Sequence, residues 1–328
     1  MNSTLPEQLK DAADALLEGV SRKDLAVRSA AVTAHYRSGQ GSRAAIAGKQ
    51  DALAYLVARL PATYAVAAAV FEALREAAPD FTPASLLDAG AGPGTASWAA
   101  LQAWPALSDI TLADASATLL ALAESLAVDT DLAQANFLSR DLVSGDLPTA
   151  DLVVANFVLA EIATQDVVVD RLYAAAKDVL VLIEPGAPEG FARIRDARAR
   201  LIGQGAHVLG PCTHANACPM IAPDWCHFSQ RLPRSRDHMQ AKGATVPYED
   251  ERYAWVAVSR TRVSAHEARA RVLAPPKDAK PGITFKLCTP EGLEERFVAR
   301  REKETFAEVR KLEWGDVFPL PHRGRGPG

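Results

Sequence analysis

Apolar runs long enough to cross a bilayer are missing from this 328-residue chain; none reaches the roughly 18 consecutive positions that a spanning helix needs. From Met1 to Asp11 no basic stretch leads into an apolar one, and Glu7 and Asp11 speak against a transit peptide. Cysteine is scarce, with four in all and none in C-x2-C spacing, so the zinc-finger arrangement is excluded. No internal repeat is present. What remains is an ordinary globular composition, 48% apolar and 23% charged. A chain this long buries about three-quarters of its unfolded surface, so it needs no staple to build a core. The expected compartment is cytoplasmic (mitochondrial if the source is eukaryotic), with no membrane association.

The net charge of −4 conceals a division. Residues 1–190 hold 12 Lys and Arg against 24 Asp and Glu, whereas residues 191–328 hold 24 against 16. An acidic front and a basic back suggest that the C-terminal part faces a polyanion such as RNA.

Residues 1–80 read as a helical region. Apolar positions from Leu5 to Val20 follow helical spacing, Ser21 is a plausible N-cap for a second helix, and Ser38–Ser42 is a loop by composition. A third helical stretch starts near Asp51 and must kink or break at Pro61, which cannot donate a backbone hydrogen bond.

Residues 81–184 alternate strands with helices. The strands are expected at Ser85–Asp88, Ile110–Ala113, Asn136–Leu138, Leu152–Asn156 and Val179–Glu184, with helices at Ala115–Ala127 and Asp166–Ala176. Near-continuous apolar strands separated by helices imply a parallel sheet covered on both faces. Ligands of such sheets bind beyond the carboxyl ends of the strands. After the first strand comes Asp88-Ala89-Gly90-Ala91-Gly92-Pro93-Gly94-Thr95. Its glycines admit positive φ and leave room for backbone N–H groups and a helix N-terminus to approach a small polar molecule. The third glycine of the dinucleotide fingerprint is absent, because Thr95 stands there. An acid two residues before G-x-G-x-G instead resembles motif I of class I S-adenosylmethionine-dependent methyltransferases. Asp114, ending the second strand, is placed to accept hydrogen bonds from ribose hydroxyls, and Asp141, after the third, from an adenine amino group. Each acid taken singly also fits a helix N-cap or turn; their order along consecutive strands favours S-adenosylmethionine, held by Asp88, Gly90, Gly92, Gly94, Asp114 and Asp141.

Residues 185–252 form an insertion after the fifth strand, starting with a helix carrying Arg193, Arg195, Arg198 and Arg200. Cys212, Cys218 and Cys226 follow within 15 residues, and Cys288 lies in an expected strand, Ile283–Thr289. Clustering favours metal binding over four separate buried thiols. Four thiolates suit tetrahedral zinc or an iron–sulfur cluster, and the spacing does not separate these. His214 and His227 are possible replacements for a thiolate, or loop histidines. Residues 253–320 are expected to supply strands completing the sheet, with Tyr253–Arg260 pairing Ile283–Thr289 and an exposed basic loop from Arg262 to Lys280 between them. Residues 321–328 read as a disordered tail.

These residues together resemble a ribosomal small-subunit methyltransferase-like family of bacteria and mitochondria (the Rsm-twenty-two type) over nearly the whole chain. The resemblance rests on Arg59-Leu60-Pro61-Ala62-Thr63-Tyr64, on Leu87–Thr95, on Asp224-Trp225-Cys226-His227-Phe228-Ser229-Gln230-Arg231, on Pro247-Tyr248-Glu249-Asp250-Glu251, and on Trp314-Gly315-Asp316. It implies an α/β class I methyltransferase (Rossmann-like) fold and association with small-subunit ribosomal RNA during ribosome assembly or translation, as a monomer away from the ribosome. It also implies a [4Fe–4S] cluster on Cys212, Cys218, Cys226 and Cys288, in preference to zinc. The alternative is a non-catalytic RNA-binding assembly factor. Where amino-methylating enzymes carry an Asn/Asp-Pro-Pro-aromatic clamp, this chain reads Asn156-Phe157-Val158-Leu159-Ala160-Glu161, without proline or cysteine. Asn156 and Glu161 are the remaining candidates to orient a target, so methyl transfer has less support than cofactor binding.

Overall fold

The computed structural model describes residues 4–37, 46–261 and 269–320. The loop expected at Ser38–Ser42, residues 262–268 of the expected basic loop and the tail at 321–328 lie outside the described residues.

Buried apolar strands build the main sheet. β1 (Ser85–Ala89), β2 (Asp109–Asp114), β3 (Asn136–Ser139), β4 (Ala150–Asn156) and β5 (Ala176–Pro185) are parallel, in the spatial order β3-β2-β1-β4-β5. β8 (Tyr248–Ser259) lies antiparallel on β5, and β6 (His207–Gly210) antiparallel on β8. β7 (Phe228–Pro233) pairs with the first half of β8. Along β5, Val179, Val181 and Ile183 enter one apolar core while Leu180 and Leu182 enter another, as period-two geometry requires of a strand covered on both faces. Strand order reverses between β1 and β4, which opens a crevice at their carboxyl ends.

The N-terminal helices belong to the first of these cores. α1 (Glu7–Leu16), α2 (Arg22–Arg37), α3 (Lys49–Ala58) and α4 (Leu60–Ala77) contribute Leu9, Leu25, Leu53 and Phe71 to the cluster that also holds Leu86 and Val181. Pro61 sits in the first turn of α4, where its missing N–H costs nothing, and α3 meets α4 at 51°. No single helix among the described residues is long and apolar enough to cross a membrane; the bent α3–α4 pair passes that test by composition, and its apolar residues are buried in the protein. α5 (Thr95–Ala103), α6 (Ala117–Ala127), α7 (Gln165–Ala175) and α8 (Pro188–Gly203) follow β1, β2, β4 and β5 in turn, and α9 (Arg236–Lys242) precedes β8.

The C-terminal pairing differs from the expectation. β8 joins the main sheet, whereas β11 (Gly282–Thr289) pairs with β9 (Arg269–Val272), β10 (Lys277–Ala279) and β12 (Gly292–Ala299), and β13 (Val317–Pro319) closes on β9. Residues 253–259 are all buried: β8 is paired at its edges with β5 and β6, and its two faces send Trp255 and Ala257 to one core and Val256 and Val258 to the other. β11 sends Ile283, Phe285 and Leu287 to a smaller core with Phe318 and with Val309 of α10 (Lys303–Val309). Part of the expected basic loop is therefore strand: Ala270 and Val272 point into that core while Arg269 and Arg271 alternate with them.

Candidate cofactor cavity and sulfur site

The glycine turn is held open by its own backbone. Gly90, Gly92 and Gly94 have φ of 73°, 54° and 84°. A Cβ on Gly90 would stand 2.6 Å from Val158 Cγ2, and one on Gly94 2.8 Å from Leu112 Cδ2, so these two pack the turn against the sheet. Gly92 meets nothing nearer than Leu119 Cδ1 at 3.9 Å and faces the crevice. Its N–H donates to Asp114 Oδ2 at 2.8 Å, and the N–H of Ser116 donates to Asp114 Oδ1 at 2.7 Å. The second strand's acid is thereby fixed at the rim of the glycine turn.

A cavity of about 1580 Å³ opens there. Gly90, Gly92, Asp114, Asp141, Asn156 and Glu161 line it. Asp141 Oδ1 accepts from the N–H of Val143 at 2.7 Å, which shapes its loop. Asn156 donates through Nδ2 to the Thr63 carbonyl and to Thr95 Oγ1, both at 3.4 Å, while its Oδ1 is buried without a partner. Phe157, next in sequence, has φ of 62°, a left-handed conformation at the mouth of the site.

Asp88 and Gly94 do not line the cavity. Asp88 is 1% exposed, and its Oδ2 accepts from the N–H and Oγ of Ser97 at 3.0 and 2.8 Å. Burial pushes its pKa up to about 7. Its position ties β1 to the first turn of α5 beneath the loop, so it acts on a ligand only through the loop's shape.

Several residues around the cavity received no role from the sequence. Glu184, fully buried, accepts from the N–H of Leu159 at 2.8 Å and from Arg193 Nε at 2.7 Å, and so anchors the segment after β4. Burial raises its pKa, opposed by the Arg193 guanidinium. Arg59 donates to both oxygens of Glu251 at 3.4 and 3.1 Å, and its guanidinium lies 5.8 Å from the Phe157 ring centroid. Beyond it, Glu249 meets Arg234 at 3.4 Å, His238 at 3.1 Å and Lys242 at 2.5 Å. Burial alone would raise the Glu249 pKa, but the adjacent His238 imidazole and the hydrogen-bonded Lys242 ammonium outweigh it and hold the carboxyl at about 2. Glu249 and Glu251 face inward from β8 while Asp250 faces out to Arg231, an alternation hidden by the uniformly polar sequence.

The second site is a cavity of about 40 Å³ lined by Cys212, Cys218, Cys226 and Cys288 together. The first three come from the β6–β7 connection and Cys288 from β11 of the second sheet. Burial raises the pKa of Cys212 and Cys226, and takes that of Cys288 to about 12. His214 Nε2 stands 3.4 Å from Cys288 Sγ. His227 does not line the cavity; it stacks on Trp225 at 5.1 Å and meets Trp314 edge-on at 4.8 Å. Trp225 Nε1 donates to the Gly186 carbonyl at 2.9 Å, locking the aromatic–Cys–His stretch onto the end of β5. Among the described residues, no group of three or more His, Cys, Asp or Glu is arranged to hold a metal ion. The four cysteines border a space without meeting at one point.

The sheet order and the glycine turn over the β1–β4 crevice define an α/β protein of the class I methyltransferase type. The family model for Rsm22, described as mitochondrial small ribosomal subunit Rsm22, matches residues 49–319, and the chain belongs to that family. It is 28% identical over 289 residues to the human ribosome assembly protein METTL17, mitochondrial, covering 82% of this chain and 62% of the relative. The chain thus spans about three-fifths of that relative's length. Among solved structures, the chain is similar to precorrin-6y C5,15-methyltransferase from Geobacter metallireducens (TM-score 0.41, 14% identity, 60% of this chain and 88% of that one). Magnesium protoporphyrin IX methyltransferase from Synechocystis with bound SAM gives TM-score 0.37 and 16% identity over 62% of this chain and 84% of that one. Likenesses this distant say nothing of a substrate.

Proposed function

We propose that this chain is a ribosome-associated, methyltransferase-like protein that binds S-adenosylmethionine in the β1–β4 crevice and acts on or binds small-subunit ribosomal RNA. The observation that carries the cofactor assignment is the Gly92–Asp114 contact at the rim of the large cavity. It places a rigid carboxylate beside an open glycine, where a ribose can be gripped and a methionyl chain can pass. Asp141 lies further along the same rim, suited to an adenine amino group. Membership of a ribosomal-subunit family, together with the basic C-terminal half, supports ribosomal RNA as the partner.

The four cysteines suit a [4Fe–4S] cluster. A lone zinc ion with bonds of ~2.3 Å would draw its sulfurs to within roughly 3.8 Å of one another. A four-iron core spreads its thiolates more widely, as four cysteines around a cavity allow. The buried Nε of Arg198, the Oγ1 of Thr213 and the Nδ1 of His214 have no hydrogen-bond partner beside these sulfurs, which fits an anionic occupant. The cluster would join the second sheet to the insertion, holding a basic surface rigid against the cofactor domain.

Equilibrium binding of S-adenosylmethionine to the wild type and to Gly92→Arg, with methyl incorporation into small-subunit RNA, tests the assignment. Binding by the wild type and none by the variant supports it. Absence of binding by the wild type overturns it, and binding with no methyl incorporation selects the RNA-binding assembly role.

A further inference from the structure

Four arginines lie on α8, and three are matched by carboxylates. Arg193 pairs with Glu184, Arg195 with Asp196, and Arg200 with Asp170. Arg198 is the exception among the described residues. It is 4% exposed, lines the sulfur cavity beside Phe191, Ile194 and Met220, and forms no ion pair. Its Nη2 donates to the His214 carbonyl at 2.6 Å, its guanidinium reaches the Cys212 sulfur, and its Nε is left without a partner.

A buried guanidinium in an apolar wall is strongly disfavoured unless an anion lies against it. Four neutral thiols do not supply one, whereas four thiolates on an iron–sulfur core do. A second cation approaches from the other sheet. Arg271 of β9 donates through Nε to the Pro211 carbonyl and through Nη1 to the Gly315 carbonyl, both at 2.7 Å, so its head is tied to backbone next to Cys212. Both arginines brace the segment that carries the sulfurs.

We propose that Arg198 is a positioning residue of the sulfur site, compensating the cluster's negative charge and orienting the Cys212 thiolate through its fork. The inference rests on the [4Fe–4S] reading given above. Hydrogen bonds and positive charge near cluster sulfurs favour the more negative, reduced state and so raise the reduction potential. Lysine keeps the charge but loses the planar fork, and methionine loses both.

The test uses the full chain, loaded anaerobically with ferrous iron and sulfide, as wild type, Arg198→Met and Arg198→Lys. Iron and sulfide content, visible absorption, midpoint potential and the rate of iron loss to a chelator are measured, with S-adenosylmethionine affinity as the control for folding. Arg198→Met is expected to shift the reduction equilibrium at least tenfold toward the oxidised form, about 59 mV for one electron, and to lose iron at least tenfold faster. Arg198→Lys is expected to hold the potential within threefold of wild type in that equilibrium, yet to lose iron faster. A loaded Arg198→Met protein with wild-type potential and iron loss would overturn the role of Arg198 alone. Should Arg198→Met fail to fold, Arg198→Lys decides, and wild-type kinetics of iron loss in it overturn the proposal. A wild type holding neither iron nor sulfide would bring down the cluster reading and this inference with it.

Discussion

The two cavities are built on opposite principles. The glycine-turn side of the cofactor cavity is assembled from loops that follow one another along the sheet, and backbone N–H groups engage its two rim acids, Asp114 and Asp141. The sulfur cavity gathers residues far apart in the chain, with His214 and Cys288 separated by 74 positions, and leaves buried polar atoms without partners. The first also leaves a buried acceptor, Asn156 Oδ1, without a partner in its wall. In the second, Arg198 Nε, Thr213 Oγ1 and His214 Nδ1 are left without hydrogen-bond partners beside the sulfurs. Disturbing the first should alter binding while sparing the fold; disturbing the second should damage the fold itself.

The largest effect is therefore expected at the sulfurs. Cys288→Ser should lose nearly all iron and sulfide and show the greatest fall in melting temperature of any variant discussed, since binding at such a site is coupled to folding. Metal analysis and thermal unfolding of anaerobic protein check this, and an undiminished melting temperature would erase the contrast. Gly92→Arg comes next. It should abolish measurable S-adenosylmethionine binding while retaining full iron content, because the side chain projects into the cavity and away from the sulfurs. Asp114→Asn should weaken the cofactor about tenfold, or ~1.4 kcal/mol, by turning one acceptor into a donor that faces the Gly92 or Ser116 N–H; calorimetry reads the change.

The smallest effects concern pH, and two carboxylates around the cofactor site give opposite signs. The Glu249 pKa is lowered from 4.5 to about 2, so its contribution to stability is present above the unfolded value and disappears as pH falls through about 2. Glu249→Gln should flatten the acid limb of the stability curve between those values. The Asp88 pKa is raised from 3.8 to about 7, so the native state holds a proton that the unfolded chain has released, and stability declines as pH rises across that interval. Asp88→Asn should remove that decline. Urea unfolding at closely spaced pH values separates the two, and parallel slopes in both variants would contradict the assignment.

How much of this was legible follows the same division. The parallel strands, the helices between them and the residues at the strand ends could be read because the information is local: apolar runs, glycines and acids in sequence order. Asp114, Asp141, Asn156 and Glu161 all border the predicted crevice. Asp88, equally local, lies under the loop, because its inward position on β1 points it at Ser97. The partners of β8 and β11 were not legible, since two apolar strands of similar length carry no label for which sheet they join. Nor was the alternation of Glu249, Asp250 and Glu251, whose inward faces are recognised only once α9 and Arg59 are in place. Arg198 read as one of four equivalent helix arginines, and only its surroundings set it apart.

The most direct test of the account is the quantity of iron and acid-labile sulfide in anaerobically purified wild-type protein. About four of each per chain are expected, with thiols at positions 212, 218, 226 and 288 protected from alkylation until the iron is chelated. Protein that contains neither, and whose four cysteines alkylate freely while it remains folded, would contradict it.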